Sequence, residues 1–244
     1  MWGHEMSVWE RIESATPVAA PAVVAKIGAR DSTAADQADD AAKQEVLFLL
    51  RGLGMIEEYA KGSSIFAAGG NANAAYRVTS GAVALWRRLP NGKRQIIDFR
   101  LPGEYFGVVH RPTHTINAEA SSDCVLTAYR RGHVDGICDA VPSFHRSMVK
   151  LVAEPVLGRS EETLEETRTA KERIAAFLLN VAQRAVIAGE TSLPFSGRSI
   201  GERIGESDEV ANGCLRDLVA AGAIAWSRDG GLKVTKPALL ECLV

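Results

Sequence analysis

Between Leu193 and Ile224 the chain reads LPFSGRSIGERIGESDEVANGCLRDLVAAGAI, and this stretch admits few folds. Ser196 has the hydroxyl to cap a helix, and Ile200 and Ile204, four apart, lie on one face of it. Gly205 supplies a tight turn, since glycine takes a positive φ without steric cost. Ser207 or Asp208 opens a second helix, in which Ala211, Cys214, Leu215, Leu218 and Val219 make one apolar stripe. Gly222 stands where helices commonly close. Two short helices joined this way form a helix-turn-helix, a device that lays its second helix in a DNA major groove.

The remaining residues must supply what such a motif lacks, a core of its own and a partner domain. From Met55 to Arg131 the texture is of short strands cut by turns. The breaks are Lys61-Gly62-Ser63, Gly69-Gly70-Asn71, Ser80-Gly81, Pro90-Asn91-Gly92 and Pro102-Gly103. Strand-like runs lie between them at Ile65-Phe66, Tyr76–Val78, Val83–Leu89, Gln95–Phe99 and Cys124–Tyr129. Turns near every ten residues predict an all-β barrel or jelly roll, and Asn91-Gly92 is the strongest hairpin signal in the chain. From Val134 to Ala188 the pattern turns helical. Phe144, Met148, Leu151, Val152 and Val156 follow a 3–4 spacing, whereas 158–168 offers only Leu164 and Pro155 interrupts the run. In TAKERIAAFLLNVAQRA, Ile174, Phe177, Leu178 and Val181 form a core stripe. After the helix-turn-helix, Ile224–Trp226 and Leu232–Val234 flank a turn and predict a β-hairpin wing.

The first 44 residues differ. Eleven of the 28 residues from Ala15 to Ala42 are alanine, which leaves little to bury and predicts a disordered extension. Trp2, Met6, Val8, Trp9 and Ile12 are the exception, with the composition of a small amphipathic anchor. The formal charge of −2 gives no global sign of a nucleic-acid partner. The four cysteines form no C-x-x-C pair, which speaks against a zinc ribbon or a disulfide framework and fits reduced thiols in a cytoplasm. No apolar run reaches membrane-spanning length, so the expectation is a soluble, cytoplasmic chain with no membrane partner. No nucleophile motif, metal-ligand spacing or phosphate-cradling Gly loop points to an enzyme.

L-P-x-S, S-I-G-x-x-I-G, S-x-E and L-x-x-L-x-x-x-G-x-I together resemble the C-terminal domain of the cyclic-AMP receptor/Fnr family of bacterial transcription regulators. The run YAKGSSIFAAGGNANAAYRVTSGAVALWRRLPNGKRQIIDFRLPGEYFG resembles that family's cyclic-nucleotide-binding-type β-roll, with Gly62, Gly69, Gly81, Gly92, Gly103 and Gly107 at its turns. PGEYFG followed by HTINAEA is closest to the Fnr and FixK branch. The resemblance implies an α+β fold: a disordered extension over 1–44, a β-roll sensor-type domain over 45–133, a dimerisation helix over 134–168 and a winged helix-turn-helix domain over 169–244. The dimer seam would then comprise Phe144, Met148, Leu151, Val152 and Val156.

The same resemblance frames the sites. Relatives that bind cyclic AMP meet the phosphate with Arg-Ser or Arg-Thr and the ribose with Glu. Here those positions are His114-Thr115 and Val108, which leave a buried phosphate charge unmatched. An iron–sulfur cluster needs four thiolates, and residues 1–50 contain none. Haem needs an axial ligand such as His110, His114, His133 or His145, which look like ordinary surface histidines. The expectation is therefore no cofactor of the three. In the reading head, relatives carry Arg after L-P-x-S and E-x-x-S-R on the second helix. Here Glu209 is kept, Asn212 stands for Ser, and Gly213 and Gly197 stand for the two arginines. Between Gly197 and Ala221 three cations face five anions. The DNA-contacting candidates are Arg198, Ser199, Glu209, Asn212, which can read adenine, Arg216 and Lys233, with Arg228 and Lys236 near the wing. Cys214 is either a small core residue or a redox thiol, which would require exposure and a lowered pKa.

The leading reading is a dimeric regulator of the Fnr/FixK type that binds duplex DNA and acts on RNA polymerase or another regulator. The alternative is a degenerate member that no longer reads an operator and works through protein contacts or heterodimerisation.

Overall fold

A computed structural model describes residues 50, 52–109, 111–141, 144, 168–187, 192–228 and 230–244. The extension over 1–44, Met148, Leu151, Val152, Pro155, Val156 and Leu164 lie outside the described residues. Of the expected seam, Phe144 alone is described, and it is buried within its own chain.

Eight strands form the roll: β1 Met55–Tyr59, β2 Ser64–Phe66, β3 Ala74–Ser80, β4 Val83–Arg88, β5 Arg94–Arg100, β6 Tyr105–Phe106, β7 Asn117–Ala120 and β8 Cys124–Arg130. They make two four-stranded sheets, β1-β8-β3-β6 and β2-β7-β4-β5, in which β1–β8, β3–β6, β2–β7, β7–β4 and β4–β5 pair antiparallel. This is the double-sheet arrangement of a jelly roll. Phe66, Tyr76, Val78, Leu85, Phe106 and Leu126 are among the side chains that fill its interior. All six glycines expected at turns have positive φ. Gly81 is the most constrained of them, because a Cβ there would lie 2.7 Å from Cβ of Cys124. Asn91-Gly92 closes the β4–β5 hairpin, with the Gly92 amide donating to the Leu89 carbonyl at 2.9 Å.

Helix α1, Arg131–Ala140, begins three residues before the expected start and stops at Val141, whose φ of −135° and ψ of 87° are not helical. Pro142 follows, and a residue preceding proline is pushed out of the α region. Unlike the rest, α1 brings two acidic residues, Asp135 and Asp139, against the Cys138 thiol, whose pKa is raised by burial first and by those charges second.

The reading head contains α2 Ala170–Ile187, α3 Gly197–Ile204, α4 Asp208–Ala220, the β9–β10 hairpin (Ile224–Trp226, Leu232–Val234) and α5 Pro237–Glu241. The stripe expected on α2 is its core face, with Ile174, Leu178 and Val181 fully buried. On α4 the expected stripe is narrower. Ala211, Leu215 and Leu218 are buried, Cys214 lies partly buried at the edge of the core, and Val219 is exposed. Five residues spanning 211–219 cover more arc than the side of a helix that meets a single neighbouring layer.

Residues 55–128 of the roll and the head belong to one compact unit. Ala82, Ala84, Ile96, Phe99 and Leu101 of the roll join the head's buried residues in one apolar cluster. The Phe99 ring lies 4.1 Å from Phe195 and 5.9 Å from Phe177 between centroids.

Candidate nucleic-acid interface

The helix-turn-helix is built as its residues dictate. Ser196 caps α3 by accepting from the Ser199 amide, and Ser199 Oγ in turn accepts from the Ser196 amide, a reciprocal capping box. Ser199, a DNA-contact candidate, therefore has its hydroxyl engaged in the cap, where it also donates to the Ser196 carbonyl at 2.9 Å. Gly205 ends α3 with φ of 78°. Ser207 then caps α4 by accepting from the Val210 amide, and Asp208 and Glu209 place negative charge against the positive end of the helix. Arg173 of α2 secures the turn from behind: it donates to the Ile204 carbonyl at 2.6 Å and pairs with Glu206. Nothing local in the sequence marks this contact, because its partners are more than thirty residues away.

Glu209, Val210, Asn212, Arg216 and Asp217 are exposed on α4. Gly213 has nothing within 4 Å of where a Cβ would stand. Arg198 is exposed, but its Nε donates to Asp208 at 2.9 Å. Arg216 Nε donates to the Asn212 carbonyl at 3.4 Å. On the wing, Arg228, Lys233 and Lys236 are exposed, and the Ser227 amide donates to the Gly231 carbonyl at 2.7 Å to close the hairpin. The structure thus brings Arg198, Glu209, Asn212 and Arg216 together at α3–α4 and carries Lys233 on the separate wing.

Two sets of ion pairs hold the head to the roll, and none was visible in the sequence. Arg184 of α2 donates to both carboxylate oxygens of Glu104 at 2.7 and 2.6 Å, to Asp98 at 3.3 Å and to the Phe99 carbonyl at 2.5 Å. Burial pulls the Arg184 pKa down, but the bonds to Glu104 and the charge of Asp98 outweigh it and leave it raised. Arg100, also buried, lies 3.5 Å from Asp98 and has its pKa lowered, chiefly by desolvation. Arg94 forms a bidentate pair with Glu119, reaches Glu202 of α3 at 3.1 Å and lies over the Trp86 ring. Burial raises the Glu202 pKa, and Arg94 opposes that shift.

The roll interior is packed at the position where the resemblance places a phosphate contact. His114, at the position where a phosphate needs a cation, is buried and not a surface histidine. Its ring stacks on Phe66 with centroids 3.6 Å apart and planes 7° from parallel. Phe66 packs on Tyr76 and Phe106 in turn. A Cβ on Gly107 would already sit 3.1 Å from Tyr76 Cδ2. Thr115 is exposed and Val108 carries no ribose acceptor. Among the described residues no three His, Cys, Asp or Glu side chains are grouped as metal ligands would be. Cys124 is buried, and burial, with Asp123 adding to it, pushes its thiol up to about 11.

Residues 56–140 match the family model of the cyclic nucleotide-binding domain, and residues 172–243 match that of the Crp-like helix-turn-helix domain. The nitrogen fixation regulation protein FixK of Azorhizobium caulinodans is 30% identical over 179 residues, covering 71% of this chain and 72% of that protein. The chain belongs to the Crp/Fnr family of transcription regulators. FixK of Rhizobium meliloti is 29% identical over 194 residues, covering 78% of this regulator and 87% of its own length. The solved structure of FixK2 from Bradyrhizobium japonicum aligns with a TM-score of 0.70 at 29% identity, covering 78% of this chain and 96% of that one. This Crp/Fnr protein is a transcription regulator of the FixK/Fnr type and not an enzyme.

Proposed function

We propose that this regulator binds duplex DNA as a homodimer, laying α4 in the major groove of each half-site and setting the wing on the backbone. The observation that carries the reading is the uncovered outer face of α4. The roll grips the head through α2 and α3, at Arg184 and Glu202, and leaves Glu209, Asn212 and Arg216 exposed. Glu209 is suited to accept from cytosine, Arg216 to meet guanine or phosphate, and Lys233 and Arg228 to meet phosphate. The head has few such cations, so its salt dependence is expected to be shallow for the family.

The roll acts as a scaffold that takes no cyclic nucleotide, iron–sulfur cluster or haem. His114 stacked on Phe66 supports the first of these. The chain works in the cytoplasm, where it contacts RNA polymerase or a second regulator. No described helix is long and apolar enough to cross a membrane.

Fluorescence anisotropy with mixed-sequence duplexes across a salt series tests the DNA reading. Affinity should fall with salt with a slope of about −0.9 per phosphate contact. No binding even at low salt would sink it. Sedimentation of the same sample tests the dimer, and a monomer at all concentrations would refute it.

A further inference from the structure

We propose that Asn212 does not read a base in this chain, and that Gly197, by lacking a side chain, is what lets its amide fold back onto the protein. The proposal rests on the DNA-binding reading above and sharpens it.

Gly197 and Asn212 touch. Gly197 is buried at the first turn of α3. A Cβ placed on it would fall inside the Asn212 amide, 2.6 Å from Cγ and 2.9 Å from Nδ2. Asn212 Nδ2 donates at 2.7 Å to the Asp208 carbonyl, one turn back on α4. Both ends of the amide therefore face protein, the oxygen over Gly197 and the nitrogen on the helix's own backbone. Beside them the Asp208 carboxylate takes Arg198. Gly197, Arg198, Asp208 and Asn212 thus form one knot across the mouth of the two helices.

An amide folded this way does not present the paired donor and acceptor that adenine N7 and N6 require. What remains outward at helical spacing is Glu209, the bare Gly213 and Arg216. The base-reading set is then Glu209 and Arg216. Gly197 touches no DNA, yet it controls the set. The atoms in the way of a Cβ at 197 are the tip of a flexible side chain, so a methyl there displaces the amide and leaves the backbone in place. Once displaced, Asn212 points outward and becomes a reader.

The experiment selects half-sites from randomised duplexes with the full chain and with the variants G197A, N212S and G197A/N212S. N212S should leave the selected sequence unchanged. G197A should introduce an adenine preference of roughly five- to a hundredfold at one position per half-site, and adding N212S should remove it. A selected sequence that changes with N212S alone, or a G197A preference that survives without Asn212, would overturn the proposal. If no duplex is retained by any variant, the DNA-binding reading fails, and thermal unfolding judges the pair by itself. The helix-favouring change G197A should then raise Tm by about 2–4 °C more in the N212S background than in the wild type. Additive shifts would overturn the proposal.

Discussion

The roll and the reading head differ physically at the positions where the family resemblance implies binding residues. In the roll, the phosphate-facing position is occupied by His114, buried and stacked on Phe66 among Tyr76 and Phe106. In the head, the position of the recognition-helix arginine is Gly213, with open space around it. A filled position resists the return of a charge, because the rings must first give way. An empty one accepts it. The position in the roll is packed on its ring neighbours, whereas the position in the head has room for a side chain.

The strongest way to break that comparison is His114→Arg. A guanidinium larger than the imidazole, packed against Phe66 in this aromatic interior, should destabilise the chain by about 4 kcal/mol or more. It should also bring no Tm increase on adding cyclic AMP or cyclic GMP; a soluble variant that the nucleotide stabilises would show the interior to be adaptable. Next in size is Arg184→Ala, which leaves the carboxylates of Asp98 and Glu104 without their main cation. A loss of about 2–3 kcal/mol is expected, scaled down because Arg184 is not fully buried. Calorimetry should show roll and head unfolding further apart in temperature than in the wild type, and an unchanged separation would mean that the apolar cluster alone holds roll and head together. Gly213→Ala should stabilise by about 1 kcal/mol, since a mid-helix glycine is replaced in open space. Gly213→Arg should in addition make the salt dependence of DNA binding steeper by about one phosphate contact, which anisotropy would detect.

The smallest effect concerns pH. Burial raises the folded pKa of Glu202, so the wild type carries a contribution to stability that is full below the ordinary carboxylate pKa and is lost as pH rises through the raised value. Glu202→Gln has no such group. Denaturant midpoints should therefore shift in favour of the glutamine variant as pH increases over that range, and a difference that is flat with pH would exclude the titration.

Local rules were enough for the parts of the fold that local chemistry decides. The capping serines 196 and 207, the positive-φ glycines at the roll turns and the Asn91-Gly92 hairpin each act within a few residues. β1, Met55–Tyr59, β6, only Tyr105–Phe106, and β7, Asn117–Ala120, were not marked as strands, because the first carries two adjacent glutamates, the second is two residues long and the third alternates small and polar residues. Their pairing comes from neighbours far along the chain. The same is true of Arg184 with Glu104, Arg94 with Glu202 and Phe99 with Phe195. The periodicity that names Phe99 a buried strand residue says nothing about which domain covers it. At the head, spacing placed Asn212 on the recognition helix, but the direction of its amide is decided by a glycine fifteen residues earlier.

The cluster of Phe99, Phe195 and Phe177 has a consequence for the modularity of the chain. The outer face of the β4–β5 hairpin serves as one wall of the head's interior. A head cut free at residue 168 would leave that wall open and present two aromatic rings to water. Such a fragment would be prone to self-association, and grafting the head onto another sensor would transfer it intact only if the new host offered an equivalent apolar ledge. A substitution on either side of this contact therefore has to be matched in shape by the other side.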